Sequence, residues 1–228
     1  MINKNTLTKE TRTFSATLKR AAADGDKKEI VIEGHAAIFD SPSDSGGLAG
    51  FLEVVRKGAF TTAIKEDDVR ALFNHDSNYI LGRNKAGTLE LKEDDAGLAV
   101  KITAPDTQWA RDLAVSMDRG DVSQMSFSFY PRETTDKDGN VTRGEKWSFP
   151  KNEQPQRELT DLRLFDVSIV TFPWYEDTDA EVITRSAEIL KRAQEKASAP
   201  EPAAESNAGE IETLEKELDL KEKINKTN

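Results

Sequence analysis

Alternation of apolar and polar residues is strictest in "SQMSFSFYP", residues 123–131. In an extended chain Met125, Phe127 and Phe129 share one face, and Ser126, Ser128 and Tyr130 share the other. The run "LTDLRLFDVSIVTFP", residues 159–173, is the most strand-like in the chain and is ended by Pro173. A period of two there places Leu164, Asp166, Ser168 and Val170 on one face and Arg163, Phe165, Val167 and Ile169 on the other. "EIVIEGHAAIF" predicts a further strand, and "GTLELKEDDAGLAVKI" a hairpin turning through "KEDDAG". "TTDKDGNVTRGEK" carries an Asp-Gly turn.

Before residue 200, helical spacing appears in three places. "KGAFTTAIKEDD" predicts a short helix beginning near Gly58, with Ala59, Phe60 and Ala63 on one side. "PDTQWARDLAVSMDRG" predicts a helix that starts at Pro105 with Asp106 or Thr107 and stops at Gly120. Its stripe of Trp109, Leu113 and Met117 is read as core packing. "EDTDAEVITRSAEILKRAQEKA" has helical spacing at Val182, Ile183, Leu190 and Ala193.

These elements predict a mixed, β-dominated α+β domain over residues 28–176, between a flexible N-terminal segment (1–27) and a charged, partly disordered tail (177–228). In the tail, "SAPEPAAESNAGE" has the composition of a disordered linker. "EIETLEKELDLKEKINK" sets Ile211, Leu214 and Leu218 at coiled-coil spacing. The chain contains 36% hydrophobic and 32% charged residues, more polar than an ordinary domain, which the tail accounts for.

Charge and residue inventory then remove several classes of function. A net charge of −10 disfavours nucleic-acid binding. With no cysteine there is no disulfide, thiolate nucleophile or cysteine zinc site. No apolar run of membrane-spanning length is present, and the N-terminal twenty residues lack the apolar region of a signal peptide.

The candidate chemistry centres on two histidines, His35 and His75. Asp166 falls among apolar residues whichever face of its strand is buried, so it requires a partner, and an imidazole N–H suits it. Ser126 and Ser128 project opposite the apolar face of their strand. Nucleophilic catalysis needs such a hydroxyl beside an imidazole that is itself oriented by a third group. His75, Ser126 and Asp166 supply one group of each kind, though spacing alone does not bring them together. Plainer readings stand beside these. The serine face fits ordinary solvent-facing alternation, His35 an edge position, Arg163 a solvated arginine and Asp161 a solvated strand start. A metal site from His35, His75 and Asp76 lacks any ligand-spacing signature, so no metal or cofactor is expected.

At these residues a resemblance enters. "EVVRKGAF", "ALFNHDSNYILGR", "VSQMSFSFYP" and "LFDVSIVTFPWY", in this order, resemble the tailed-phage prohead maturation proteases, relatives of the herpesvirus assemblins. The resemblance implies a β-barrel-like serine protease core surrounded by helices. It implies a serine endopeptidase that cleaves scaffold and major capsid protein segments, and itself, inside the immature capsid in the host cytoplasm, with self-association. By position His75 matches the family's histidine, Ser126 the serine of its "MSF" motif and Asp166 its acidic residue. Ser128 stands where the family has glycine, so two hydroxyls share a face; periodicity does not separate them, and the resemblance favours Ser126. In assemblins the third member is a second histidine, which would make His35 the alternative to Asp166. A non-enzymatic capsid scaffold or assembly protein is the competing reading, supported by the acidic tail.

Overall fold

Fourteen strands and three helices build the described part of the chain, and most of them form where the apolar periodicity demands. The computed structural model describes residues 9–14, 19–21, 30–42, 50–172 and 179–198. Chain contacts divide it into a unit of residues 1–190 and a second of residues 191–228. In the second unit the described residues continue the last helix, α3 (Asp179–Ser198). Beyond Ser198, which ends α3, the proposed linker and the coiled-coil stretch lie outside the described residues, as do Trp174 and Tyr175.

The site rests on a five-stranded sheet. Its strands are β1 (Glu10–Phe14), β5 (Arg70–Phe73), β6 (Asp76–Arg83), β9 (Gln124–Pro131) and β14 (Leu162–Val170), in the order β1-β9-β14-β5-β6. β14 and β5 run parallel and the other pairs antiparallel. A second sheet has the order β2-β3-β8-β7, from β2 (Lys19–Ala21), β3 (Ile30–Ile38), β7 (Leu89–Glu93) and β8 (Gly97–Ala104). A third joins β12 (Glu145–Ser148), β13 (Gln156–Leu159) and β4 (Leu52–Val55). The Asp-Gly turn closes a hairpin of β10 (Glu133–Thr135) and β11 (Val141–Arg143).

One apolar cluster joins the first two sheets, with Phe127, Phe129, Val167 and Ile169 from one and Ile32, Leu98, Val100 and Ile102 from the other. Helix α1 (Thr61–Glu66) adds Ala63, and α2 (Gln108–Asp118) adds Ala110, Leu113 and Ala114. Phe60 meets Phe127 edge-on with ring centroids 5.3 Å apart. Each such fully buried aromatic contributes roughly 1.5–3 kcal/mol. The α2 stripe packs as expected, with Thr107 as N-cap accepting a hydrogen bond from the Ala110 N–H.

Three expectations are corrected. The strands divide among open sheets, so among the described residues no closed barrel forms. The N-terminal segment read as flexible supplies two strands: β1 pairs with β9, and β2 with β3. The strict alternation assigned to residues 162–170 also fails. A bulge between Leu164 and Asp166 inserts Phe165, so the pleat changes phase. Leu162 and Leu164 therefore share the core with Val167 and Ile169. Asp166 and Ser168 face the other way, opposite Ser128 and Ser126 of β9. The extra residue lets a strand apolar before and after it carry a carboxylate on its outer face.

Candidate active site

Asn74 and His75 are the two residues between β5 and β6, and both have positive φ, 51° and 57°. Two left-handed residues in a row match the twist of a tight hairpin, a conformation uncommon outside glycine although asparagine and histidine are among the side chains that adopt it most often. The turn is therefore held from outside. The Asn74 N–H donates to the Ile169 carbonyl at 2.8 Å. The Asn74 side-chain oxygen accepts from the Thr171 N–H at 2.9 Å, and its amide nitrogen donates to Thr171 Oγ1 at 3.1 Å. These bonds moor the turn to the end of β14, the strand that carries Asp166.

Anchored in this way, the His75 ring reaches back over the sheet. Its Nε2 lies 2.7 Å from Ser126 Oγ on β9, and its Nδ1 lies 2.5 Å from Asp166 Oδ1 on β14. The carboxylate fixes the tautomer: Nδ1 carries the proton that Asp166 accepts, which leaves the Nε2 lone pair toward the serine hydroxyl. Ser128 Oγ sits 3.0 Å from Nδ1, the nitrogen already engaged by Asp166. Geometry thus separates the two hydroxyls that periodicity left equivalent. Ser126, Ser128 and Ser168 are fully buried, so their face is covered and is not the solvent-facing alternation of the plainer reading.

Burial by itself raises the pKa of Asp166. The His75 hydrogen bond, electrostatic attraction toward His75 and Lys9, and the Ser168 hydrogen bond outweigh it and hold the carboxyl at about 2. Ser168 Oγ donates to Asp166 Oδ1 at 2.8 Å, and Lys9 Nζ bonds Oδ2 at 3.0 Å. The carboxylate is thus ionised near neutral pH, oriented on three sides and able to stabilise an imidazolium.

The other candidates lie elsewhere. His35 Nε2 is 2.8 Å from Asp94 Oδ2, beside the β7–β8 turn. That hydrogen bond is the largest cause of an Asp94 pKa lowered to about 2, with further help from the Gly97 and Ala96 amides. Asp161 stands 3.6 Å from Arg132 Nε, and Asp76 accepts from the Asn78 amide at 2.8 Å. Arg163 stacks over the rings of Tyr130 and Phe165, 5.7 Å from each. Among the described residues no cluster of three His, Asp or Glu side chains is arranged to hold a metal ion, and no helix is long and apolar enough to cross a membrane.

Sequence reasoning missed Ser168, Asn74 and Lys9. Ser168 was within reach, since a period of two already paired it with Asp166. Asn74 is a turn former next to the histidine. Lys9 left no signal, because nothing local indicates that the N-terminal segment returns to β9.

A serine hydroxyl, an imidazole and an ionised carboxylate in hydrogen-bonded series can deprotonate the serine for attack on a carbonyl. Among solved structures, that of the bacteriophage T4 capsid assembly protease, gp21, is similar to this chain at 11% sequence identity and a TM-score of 0.47, covering 73% of this chain and 99% of that one. No curated protein matches. The sequence model of the caudovirus prohead serine proteases matches residues 16–193, which include β5, β6, β9 and β14, and the chain therefore belongs to the caudovirus prohead serine protease family.

Proposed function

We propose that this protein is the serine endopeptidase that cleaves segments of the scaffold and major capsid protein, and its own chain, inside the immature capsid. Family membership supports a capsid maturation protease. The observation that carries the assignment of residues is His75 set between Ser126 Oγ at 2.7 Å and Asp166 Oδ1 at 2.5 Å.

In this reading the chemistry is acyl transfer. His75 Nε2 takes the Ser126 proton as Oγ attacks the scissile carbonyl, and the imidazolium that forms is stabilised by Asp166. The proton then passes to the leaving amine. Water, activated by the same imidazole, cleaves the acyl-enzyme and returns the serine. Asp166 keeps the Nδ1 tautomer, while Ser168 holds Asp166 in place. Ser128 borders the imidazole on its Asp166 side and is not the nucleophile. His35, engaged with Asp94, takes no part.

Self-cleavage is assigned to the small-residue stretch "EKASAPEPAAES", residues 195–206, because such segments suit an extended cleft. Residues 177–228 are assigned a scaffold-like role that recruits the enzyme into the shell, with self-association contributing. The test is co-expression with the capsid and scaffold proteins, with mass mapping of the bonds that break. Wild-type chain should process all three proteins, and Ser126→Ala none. Complete processing by Ser126→Ala would end the assignment and favour a non-enzymatic assembly protein.

A further inference from the structure

Strand β1 covers the edge of β9, the strand that carries Ser126. Its register sets Thr13 opposite Ser126 and Thr11 opposite Ser128. The even positions point to the other face. There Glu10 meets Arg157 through both guanidinium branches, at 2.5 and 2.7 Å. Arg12 meets Glu53 at 2.5 and 2.9 Å. Arg157 also holds Glu53 at 2.9 Å and Glu145 at 2.7 Å, and its side chain is only 2% exposed. On the serine face Lys9 reaches Asp166 at 3.0 Å. Both faces of this short strand are thus fastened by charge.

The occupied edge coincides with the place a peptide would need. An extended substrate gains its main-chain hydrogen bonds by adding to a sheet edge, and the nucleophile's own strand offers that edge. β1 already lies there, and Ser126 Oγ donates to the Arg12 carbonyl at 2.9 Å. A serine hydroxyl has one proton. While it points at Arg12 it is withheld from His75 Nε2, 2.7 Å away, so the two acceptors compete for it. Residues 10–14 lie outside the stretch matched by the family model, residues 16–193.

We propose that Glu10–Phe14 is a built-in competitor for the peptide-docking edge of β9, latched by Glu10 on Arg157 and by Arg12 on Glu53. The partner that displaces it is an extended peptide, and the site left by the latch selects one with an acidic and a basic residue two apart. The proposal deepens the protease reading and rests on it for the role of Ser126.

The test uses the full chain in three forms: wild type, Thr11→Pro/Thr13→Pro, which breaks the pairing of β1, and Glu10→Gln/Arg12→Gln, which loosens the latch. Ser126 is titrated with a fluorophosphonate, and a synthetic peptide of residues 8–15 is added in trans. Both variants should label at least about tenfold faster than wild type, the factor expected if the edge is occupied nine-tenths of the time. The peptide should slow labelling of the proline variant and leave wild type unchanged. Equal labelling rates in all three forms would overturn the latch.

If no form labels, the serine assignment fails instead. Fluorescence polarisation then decides the latch alone: the labelled peptide should bind the proline variant and not wild type, and equal binding rejects it. Should the variants not fold, wild type suffices. A peptide aldehyde that captures Ser126 should abolish hydrogen-exchange protection of amides 10–14, and unchanged protection rejects the proposal.

Discussion

The side-chain oxygen of Asn74 accepts a hydrogen bond from the Thr171 N–H, 97 residues away in sequence, at 2.9 Å. This bond joins the turn that carries His75 to the strand that carries Asp166. It gives the asparagine beside the histidine two duties: adopting a left-handed conformation and tying the turn down.

Those duties are separable. Asn74→Gly keeps the conformation and removes the tie, whereas Asn74→Ala loses both. Both variants should fold, with kcat reduced about tenfold to a hundredfold through misplacement of the imidazole. Alanine should also cost stability, because its φ is strained where glycine's is not. Peptide cleavage kinetics and thermal melts of the two variants separate these effects. Wild-type kcat in Asn74→Gly would show that the tie does not position His75.

The two serines should differ sharply. Ser126→Ala is expected to lower cleavage by more than about 10³-fold, the scale of losing a member of a triad. Ser128→Ala, beside Nδ1, should leave cleavage at the same bonds. The reverse pattern in a mass-mapped digest would move the nucleophile to Ser128.

Acid should undo the carboxylate. The pKa of Asp166 is lowered on folding from its ordinary 3.8 to about 2. A depressed folded-state pKa means its contribution is complete above pH 4 and is lost as pH falls through 4 to 2. Its size is about 2 kcal/mol. Denaturant unfolding of wild type and Asp166→Asn across that window should converge at the acid end. A constant difference between them would remove the linkage.

The bulge is testable by length. Deleting Phe165 restores regular pleating and turns either Asp166 or Leu164 to the wrong face. A buried unpaired carboxylate costs several kcal/mol, so the deletion should yield no folded enzyme. Phe165→Ala keeps the extra residue and should retain both fold and activity. Circular dichroism with a cleavage assay would show whether an active deletion variant contradicts this.

Breaking the buried charge cluster should be costly. Arg157→Met leaves Glu10, Glu53 and Glu145 without their shared cation, a loss of about 3–5 kcal/mol. Neutralising Glu10 and Glu53 in the same chain should recover part of it, as contacting residues are not additive. Chemical denaturation of the single and triple variants measures the recovery, and none at all would mean that packing dominates.

The sequence by itself determined what short-range pattern can determine. The β7–β8 hairpin, the β9 faces and α2 follow from periods of 2 and 3.6 and from turn residues, all local properties of a chain that must bury one face. It also raised His75, Ser126 and Asp166 as the chemically apt trio, because a carboxylate among apolar residues demands a partner. Tertiary structure decided the rest. The phase change at Phe165 depends on pairing with β9, so local alternation misassigned Leu164. Periodicity left Ser126 and Ser128 equivalent and the resemblance favoured Ser126; which imidazole nitrogen each meets, a matter of ångströms between strands remote in sequence, is tertiary information. The return of residues 10–14 to the edge of β9 rests on Arg157 and Glu53, more than a hundred residues apart, and long-range electrostatic pairing of that kind leaves no periodic trace in the chain.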